Sequence, residues 1–226
     1  MSFYYNFLGY WLESDDFPRL EFTLEDGLLA YGGSYDADCF LRAYKLGIFP
    51  WPSGDEELDE FGNPLIPWFS PLHRFVLEPE NLHVSHSLEK TIRKGKFTVC
   101  TDRNFEAVIR HCANVPRAEG TTWITEGIIQ TFCELHRLGY AHSVECYLGD
   151  ALVGGFYGTQ IGEVFGGESM FTLVPDASKV AFVTFVRQAT ERGIRLIDCQ
   201  CYTENMARYG AHHMERAEFL SYLPKV

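Results

Sequence analysis

From about residue 82 onward, apolar and polar positions alternate with regular periods, and those periods predict most of the elements. SHSLEKTIRKG (85–95) predicts a helix with Ser85 or Ser87 as N-cap and Gly95 as its stop. FTVC (97–100) is a strand and NFEAVIRHCA (104–113) a helix. TEGIIQTFCELHRLG (125–139) is a second helix, capped by Thr125 and stopped by Gly139. It carries Ile128, Ile129, Phe132, Leu135 and Leu138 on one side. Three strands follow, AHSVECYL (141–148), ALVGGFYGTQI (151–161) and EVFGGESMF (163–171), the first two joined by a Gly149-Asp150 turn. A helix over 177–193, a strand RLIDCQ (195–200), a short helix ENMARYG (204–210) and a last strand around 211–216 complete the chain. Nearer the start, DADCFLRAYKLG (36–47) predicts a short helix with Asp36 or Asp38 near its start and Gly47 as its stop. IPWFS and HRFVL are short extended segments broken by Pro67 and Pro71, and the acidic PSGDEELDEFGNP (52–64) is a surface loop.

This order predicts an α+β or α/β layered arrangement with a mostly antiparallel sheet. The order resembles the GNAT acyltransferase fold, which by itself leaves the chemistry open.

Charge changes the picture by its distribution. Of the net −12, residues 1–80 hold 15 acidic and 4 basic side chains, whereas 81–226 are close to neutral. The second part carries a basic run, Lys90, Arg93, Lys94 and Lys96, able to receive a phosphate backbone, although such a run is also the ordinary pattern of a solvated helix face. Seven cysteines without framework spacing fit reduced thiols. The first residues lack the basic and small-residue signature of a signal peptide, and no apolar run reaches the ~18 residues a membrane span needs. A cytoplasmic protein without membrane attachment is expected.

Three features carry candidate chemistry. GGFYG (154–158) and FGGES (165–169) place glycines inside neighbouring strands, which marks either close packing or a pocket floored by backbone. In LIDCQC (196–201), strand alternation puts Asp198 and Gln200 on one face and Cys199 on the other. A carboxylate and an amide together on an apolar strand either satisfy each other or meet a ligand. Tyr44, Trp51, Trp68 and Trp123 offer flat rings, Trp51 and Trp68 in proline-rich loops, with Tyr44 equally suited to a core. His83, His86, His212 and His213 lack the spacing or cysteine partners of a zinc site, so no metal is expected. SMFTLVPDASK before the helix at 177 lacks the glycine-rich pyrophosphate loop of acyl-CoA enzymes.

Ten stretches together resemble the leucyl/phenylalanyl-tRNA–protein transferase family: GLLAYGG (27–33), LRAYKLGIFPW (41–51), PWFSP (67–71), LHVSHSL (82–88), TTWIT (121–125), LHRLGYAHSVE (135–145), LVGGFYG (152–158), GESMF (167–171), DASK (176–179) and LIDCQ (196–200). The resemblance implies a small N-terminal α/β domain (1–75) packed on a GNAT-like aminoacyltransferase domain (76–226). It implies transfer of Leu or Phe, less readily Met, from aminoacyl-tRNA to proteins beginning with Arg or Lys, creating an N-degron, with no cofactor and the protein acting as a monomer. It places the adenosine-binding aromatics at Tyr44, Trp51 and Trp123. The pocket for the carried side chain falls on Phe156, Phe165, Met170, Phe182, Phe185 and Ile197, the catalytic groups on Asp198, Gln200 and Glu168, and the tRNA backbone contacts on Lys90, Arg93 and Lys94. Phe132 and His86 depart from the family's usual Tyr and Arg. The lost Phe132 hydroxyl implies weaker adenosine binding, so that Phe132→Tyr is expected to tighten tRNA binding. A small-molecule acyltransferase on the same fold and a non-catalytic protein that binds charged tRNA or N-degrons are the alternatives.

Overall fold

A computed structural model describes residues 2–7, 9–52, 57–115 and 122–225, so residues 53–56 of the acidic loop and the start of TTWIT lie outside it. The fold is mixed α/β with two sheets. The N-terminal strands β1 (Phe3–Phe7), β2 (Tyr10–Ser14), β3 (Leu28–Gly32), β4 (Phe49–Pro50) and β5 (Ile66–Phe69) form one antiparallel sheet in the order β2-β1-β3-β5-β4. Helix α1 (Ala37–Lys45) packs beside it. Its N-cap is Asp36, whose carboxylate accepts the Cys39 N–H, and Gly47 with φ 74° ends it.

The second sheet is built from β6 (His73–Leu77), β7 (Thr98–Thr101), β8 (Ala141–Leu148), β9 (Ala151–Ile161), β10 (Val164–Thr172), β11 (Leu196–Asp198) and β12 (His212–Glu215). Their order is β12-β6-β11-β10-β9-β8-β7. Only the β10–β11 pair is parallel. The expected boundary after residue 75 falls inside β6. Helices α2 (His86–Arg93), α3 (Phe105–Asn114), α4 (Glu126–Arg137), α5 (Ala177–Gln188), α6 (Glu204–Arg208) and α7 (Arg216–Leu220) cover this sheet and its ends. Side chains alternate across its strands: Tyr157 and Leu196 join one apolar cluster with α1, α3 and α4, while their neighbours Phe156 and Ile197 join another with α5 and α6.

The strand glycines are there largely for packing. A Cβ at Gly154 would lie 2.6 Å from the Cβ of Ala177 on α5, and one at Gly158 would lie 2.2 Å from the Gly166 carbonyl oxygen. Two expectations fail locally. Leu138 does not share the buried face of α4, because it follows the last helical residue and the chain turns away at Gly139, leaving it exposed. The strand at 195–200 stops at Asp198, since Gln200 takes a left-handed conformation with φ 62°. No helix among the described residues is long and apolar enough to cross a membrane.

Candidate active site

Strands β10 and β11 pair only from Val164/Leu196 to Gly166/Asp198. There β11 ends while β10 runs on to Thr172, so β10 loses its neighbour on that side and a cleft opens. At the same point β10 is bulged: Gly167 pairs with Gly158 and Ser169 with Tyr157, leaving Glu168 as the extra residue. Bulges re-aim a side chain, and this one turns Glu168 into the cleft. The cleft is a cavity of about 450 Å³, within the usual size of a small-ligand site.

Phe156, Phe165, Met170, Phe182 and Ile197 line this cavity together with Glu168 and Asp198. Phe185 stands behind that lining, its ring 5.4 Å from Phe156 and 4.6 Å from Phe165. The apolar part thus draws on three strands and two helices, since Met206 of α6 also lines it. At Gly167 an added Cβ would meet only the Asp198 carbonyl oxygen, at 3.8 Å, so here a missing side chain leaves room in the cavity.

Glu168 is the centre of the polar network. Its Oε1 accepts from the Tyr44 hydroxyl at 2.8 Å and its Oε2 from the Gln200 amide Nε2 at 3.3 Å. Burial in the cleft, with Asp198 adding negative charge nearby, raises the Glu168 carboxyl from its ordinary value to about 7, against the opposing pull of those two bonds. Tyr44 is likewise pushed away from ionisation, by burial and by the Glu168 carboxylate, and stays a donor.

Asp198 and Gln200 do meet, but not as two side chains on one strand face. The backbone N–H of Gln200 donates to Asp198 Oδ1 at 2.8 Å, which holds the left-handed turn. The Asp198 carboxylate is otherwise taken by Arg74. Arg74 Nε reaches both carboxylate oxygens at 2.9 and 3.0 Å, and Nη2 reaches Oδ2 at 2.7 Å. Sequence reasoning missed Arg74, which is 3% exposed. Its one signal was a lone arginine in the apolar run HRFVL, which demands a buried counter-ion. Cys199, expected to face away from Asp198, also touches the cavity. Burial raises its thiol far above the usual range, which removes the thiolate a nucleophile needs.

The three expected adenosine-binding aromatics are not among the residues lining the cavity. Tyr44 is a core residue that enters the site only through its hydroxyl. Trp51 is 50% exposed and meets Phe69 edge-on at 5.7 Å, and Trp123 is half-buried beside the cluster holding α3 and α4. Phe132 is fully buried, edge-on to Phe40 and Tyr157, so its ring has no open side for a ligand. Lys90, Arg93 and His86 of α2, with Lys94 at its C-terminal cap, line a separate surface hollow of about 380 Å³. Glu89 on the same helix pairs with Arg187 of α5 and ties α2 to it. No group of three or more His, Cys, Asp or Glu side chains among the described residues is placed to hold a metal.

The family described as leucyl/phenylalanyl-tRNA protein transferase matches residues 76–224. A leucyl/phenylalanyl-tRNA–protein transferase of Anaeromyxobacter sp. (strain Fw109-5) is 50% identical over 208 residues, covering 92% of this chain and 85% of the relative. The enzymes of that name from Pseudomonas putida and Myxococcus xanthus are 47% and 46% identical, each over 95% of this chain and over 93% and 91% of the relatives. Among solved structures, a GCN5-related N-acetyltransferase from Kribbella flavida aligns with a TM-score of 0.40 and 13% identity over 62% of this chain and 54% of that one, too slight a likeness to argue from. With the family matched from residue 76, inside β6, to residue 224 and relatives of 46–50% identity aligned over 92–95% of its length, the chain belongs to the leucyl/phenylalanyl-tRNA–protein transferase family.

Proposed function

We propose that this protein transfers Leu or Phe, less readily Met, from aminoacyl-tRNA to proteins whose first residue is Arg or Lys, forming a peptide bond and an N-degron. The observation that carries this reading is the placement of an apolar Phe- and Met-lined cavity directly against the Glu168–Gln200–Tyr44 network. Such a wall accepts Leu, Phe and Met alike, because one methylene is worth only about 1–3 kcal/mol there.

The aminoacyl ester is already activated, so the site has to orient the reactants and move one proton. Gln200 donates through Nε2 to Glu168, which leaves its carbonyl oxygen to accept a hydrogen bond from the incoming α-amine. An amide is too weak a base to take the proton. Glu168, raised to about 7, is matched to an α-amine near neutral pH and takes it. The amine nitrogen bonds to the ester carbonyl carbon, the carbon–oxygen bond to ribose breaks, and the proton passes to the ribose oxygen, by way of the adjacent ribose hydroxyl. Asp198 acts through the Gln200 backbone, since its carboxylate is engaged by Arg74.

Tyr44, Trp51 and Trp123 are proposed to serve the terminal adenosine, with Trp51 and Trp123 offering ring surface and Tyr44 holding Glu168. Lys90, Arg93 and Lys94 are proposed to receive the tRNA backbone, and the acidic N-terminal part favours a cationic acceptor. The small N-terminal domain, the GNAT-like second domain and action as a cytoplasmic monomer belong to the same proposal. An acyl-CoA donor is disfavoured by Asp176, which sits at the start of α5 and would repel a pyrophosphate there.

The test is direct. Labelled Phe-tRNA and a peptide beginning with Arg are incubated with the protein, and label on the peptide is expected. Label that stays on tRNA, or an acetyl group moved from acetyl-CoA instead, refutes the proposal.

A further inference from the structure

Arg74 takes no part in the chemistry outlined above, yet it is the one buried cation bonded to that network among the described residues. Its guanidinium is held between two rings, 4.5 Å from the centre of Phe49 and 4.6 Å from that of Phe219. Two of its nitrogens grip Asp198, and the third, Nη1, donates to the Gly47 carbonyl oxygen at 3.2 Å. Each end of this grip leads to Glu168. Asp198 anchors the Gln200 N–H, and Gln200 holds Glu168 Oε2. Gly47 closes α1, its own N–H donating to the Tyr44 carbonyl oxygen at 3.1 Å, and the Tyr44 hydroxyl holds Glu168 Oε1. The left-handed Gln200 backbone is unfavourable for a residue with a side chain and needs such an anchor.

A buried ion pair is a poor source of stability compared with apolar residues of the same shape, so stability alone does not account for a pair at this spot. A lysine supplies the charge but not the planar fork that spans Asp198 and Gly47 at once. We infer that Arg74 is a positioning residue for aminoacyl transfer: by holding Asp198 and the Gly47 carbonyl together it sets the Gln200 turn and the end of α1 against Glu168. The inference rests on Glu168 and Gln200 being the reacting groups.

Charge gives a second readout. Glu168 faces Tyr44 from α1, Asp198 from β11, Gln200 beyond it, and Arg74 from β6, whose positive charge favours the carboxylate while that of Asp198 opposes it. Removing the arginine charge leaves Asp198 uncompensated and moves the acid limb of the transfer rate to higher pH.

The experiment uses R74K and R74M in the full chain. Single-turnover Phe transfer to an Arg-initiated peptide is measured from pH 5.5 to 9, beside the affinity for an amide-linked, non-reacting phenylalanyl-adenosine and the melting temperature. R74K is expected to bind the analogue within about threefold of wild type and to transfer on the order of 10²-fold more slowly, the loss that misplaced groups produce. R74M is expected to shift the acid limb upward. If R74M does not fold, R74K alone decides. An R74K variant that transfers at the wild-type rate overturns the role of Arg74 while wild-type transfer stands. Rate and analogue affinity falling together, in step with melting temperature, also overturns it, because that is what a merely structural pair gives. A wild-type protein that moves no Phe overturns the reading of the site, and this role with it.

Discussion

Replacing Glu168 by glutamine removes a titrating group without changing its shape, and the structure fixes how stability must respond to pH. In the folded protein the carboxyl is raised from 4.5 to about 7, chiefly by burial. Below pH 4.5 the folded and unfolded chains both hold the proton and the site costs nothing. As pH rises, the unfolded chain releases its proton first, so stability falls until the folded carboxyl ionises near pH 7 and the loss is complete. From 4.5 to about 7, at 1.36 kcal/mol per pH unit, the ceiling is about 3 kcal/mol. Glu168 is half-buried and borders a cavity that admits water, so screening brings the expected value to about 1–3 kcal/mol. Glu168→Gln escapes this loss. Its stability relative to wild type should therefore improve by about 1–3 kcal/mol between pH 4.5 and pH 8, whatever the offset from exchanging hydrogen bonds with Tyr44 and Gln200. Urea unfolding followed by tryptophan fluorescence at several pH values measures the difference, in which all other titrations cancel. A difference that does not change with pH refutes the raised carboxyl and, with it, the assignment of Glu168 as proton acceptor.

Phe132→Tyr should fail to tighten tRNA binding, contrary to the expectation from sequence, and should lose about 1–3 kcal/mol by burying a hydroxyl among Phe40 and Tyr157; tighter binding would show that the ring is open to the nucleotide. Gly167→Ala should fold with near-normal stability but bind an amide-linked phenylalanyl-adenosine more weakly, since its methyl enters the cavity. Gly158→Ala should unfold at much lower urea, because its methyl would sit 2.2 Å from a backbone oxygen. Equal stability of the two alanine variants would refute this contrast. Changing Lys90, Arg93 and Lys94 to alanine should weaken tRNA binding and lower the slope of log affinity against log salt by about 0.7–0.9 for each phosphate no longer neutralised; an unchanged slope would remove α2 from the tRNA path.

Most of the second sheet was legible in the sequence because local rules govern it. Ser85 and Thr125 accept from backbone N–H groups three residues on, as their expected cap positions require, and Asn104 does the same for α3. The β8–β9–β10 meander follows from alternation and a short turn, and its buried faces fix the register. The aromatic-rich N-terminal strands FYYNF and YWLES were not read as strands, although Gly9 at φ 88° turns the chain between them. The stretches GESMF and LIDCQ pointed to the right neighbourhood, and with the other motifs they identified the family. They did not give the arrangement. Alternation placed Gln200 beside Asp198 on a strand, but alternation holds only for extended backbone, and Gln200 takes a left-handed conformation with φ 62° even though Cys199 and Gln200 still hydrogen-bond Phe75. What decided the site was non-local: where β11 stops against β10, the bulge that frees Glu168, and the approach of Arg74, 124 residues away from Asp198 in the chain. The sequence by itself determined most elements from residue 82 onward, because these rest on neighbours a few residues apart, and through its ten stretches the membership of the family. Only the tertiary structure decided which charge neutralises which, since burial and Coulomb attraction depend on distance through space, and no local pattern encodes that distance.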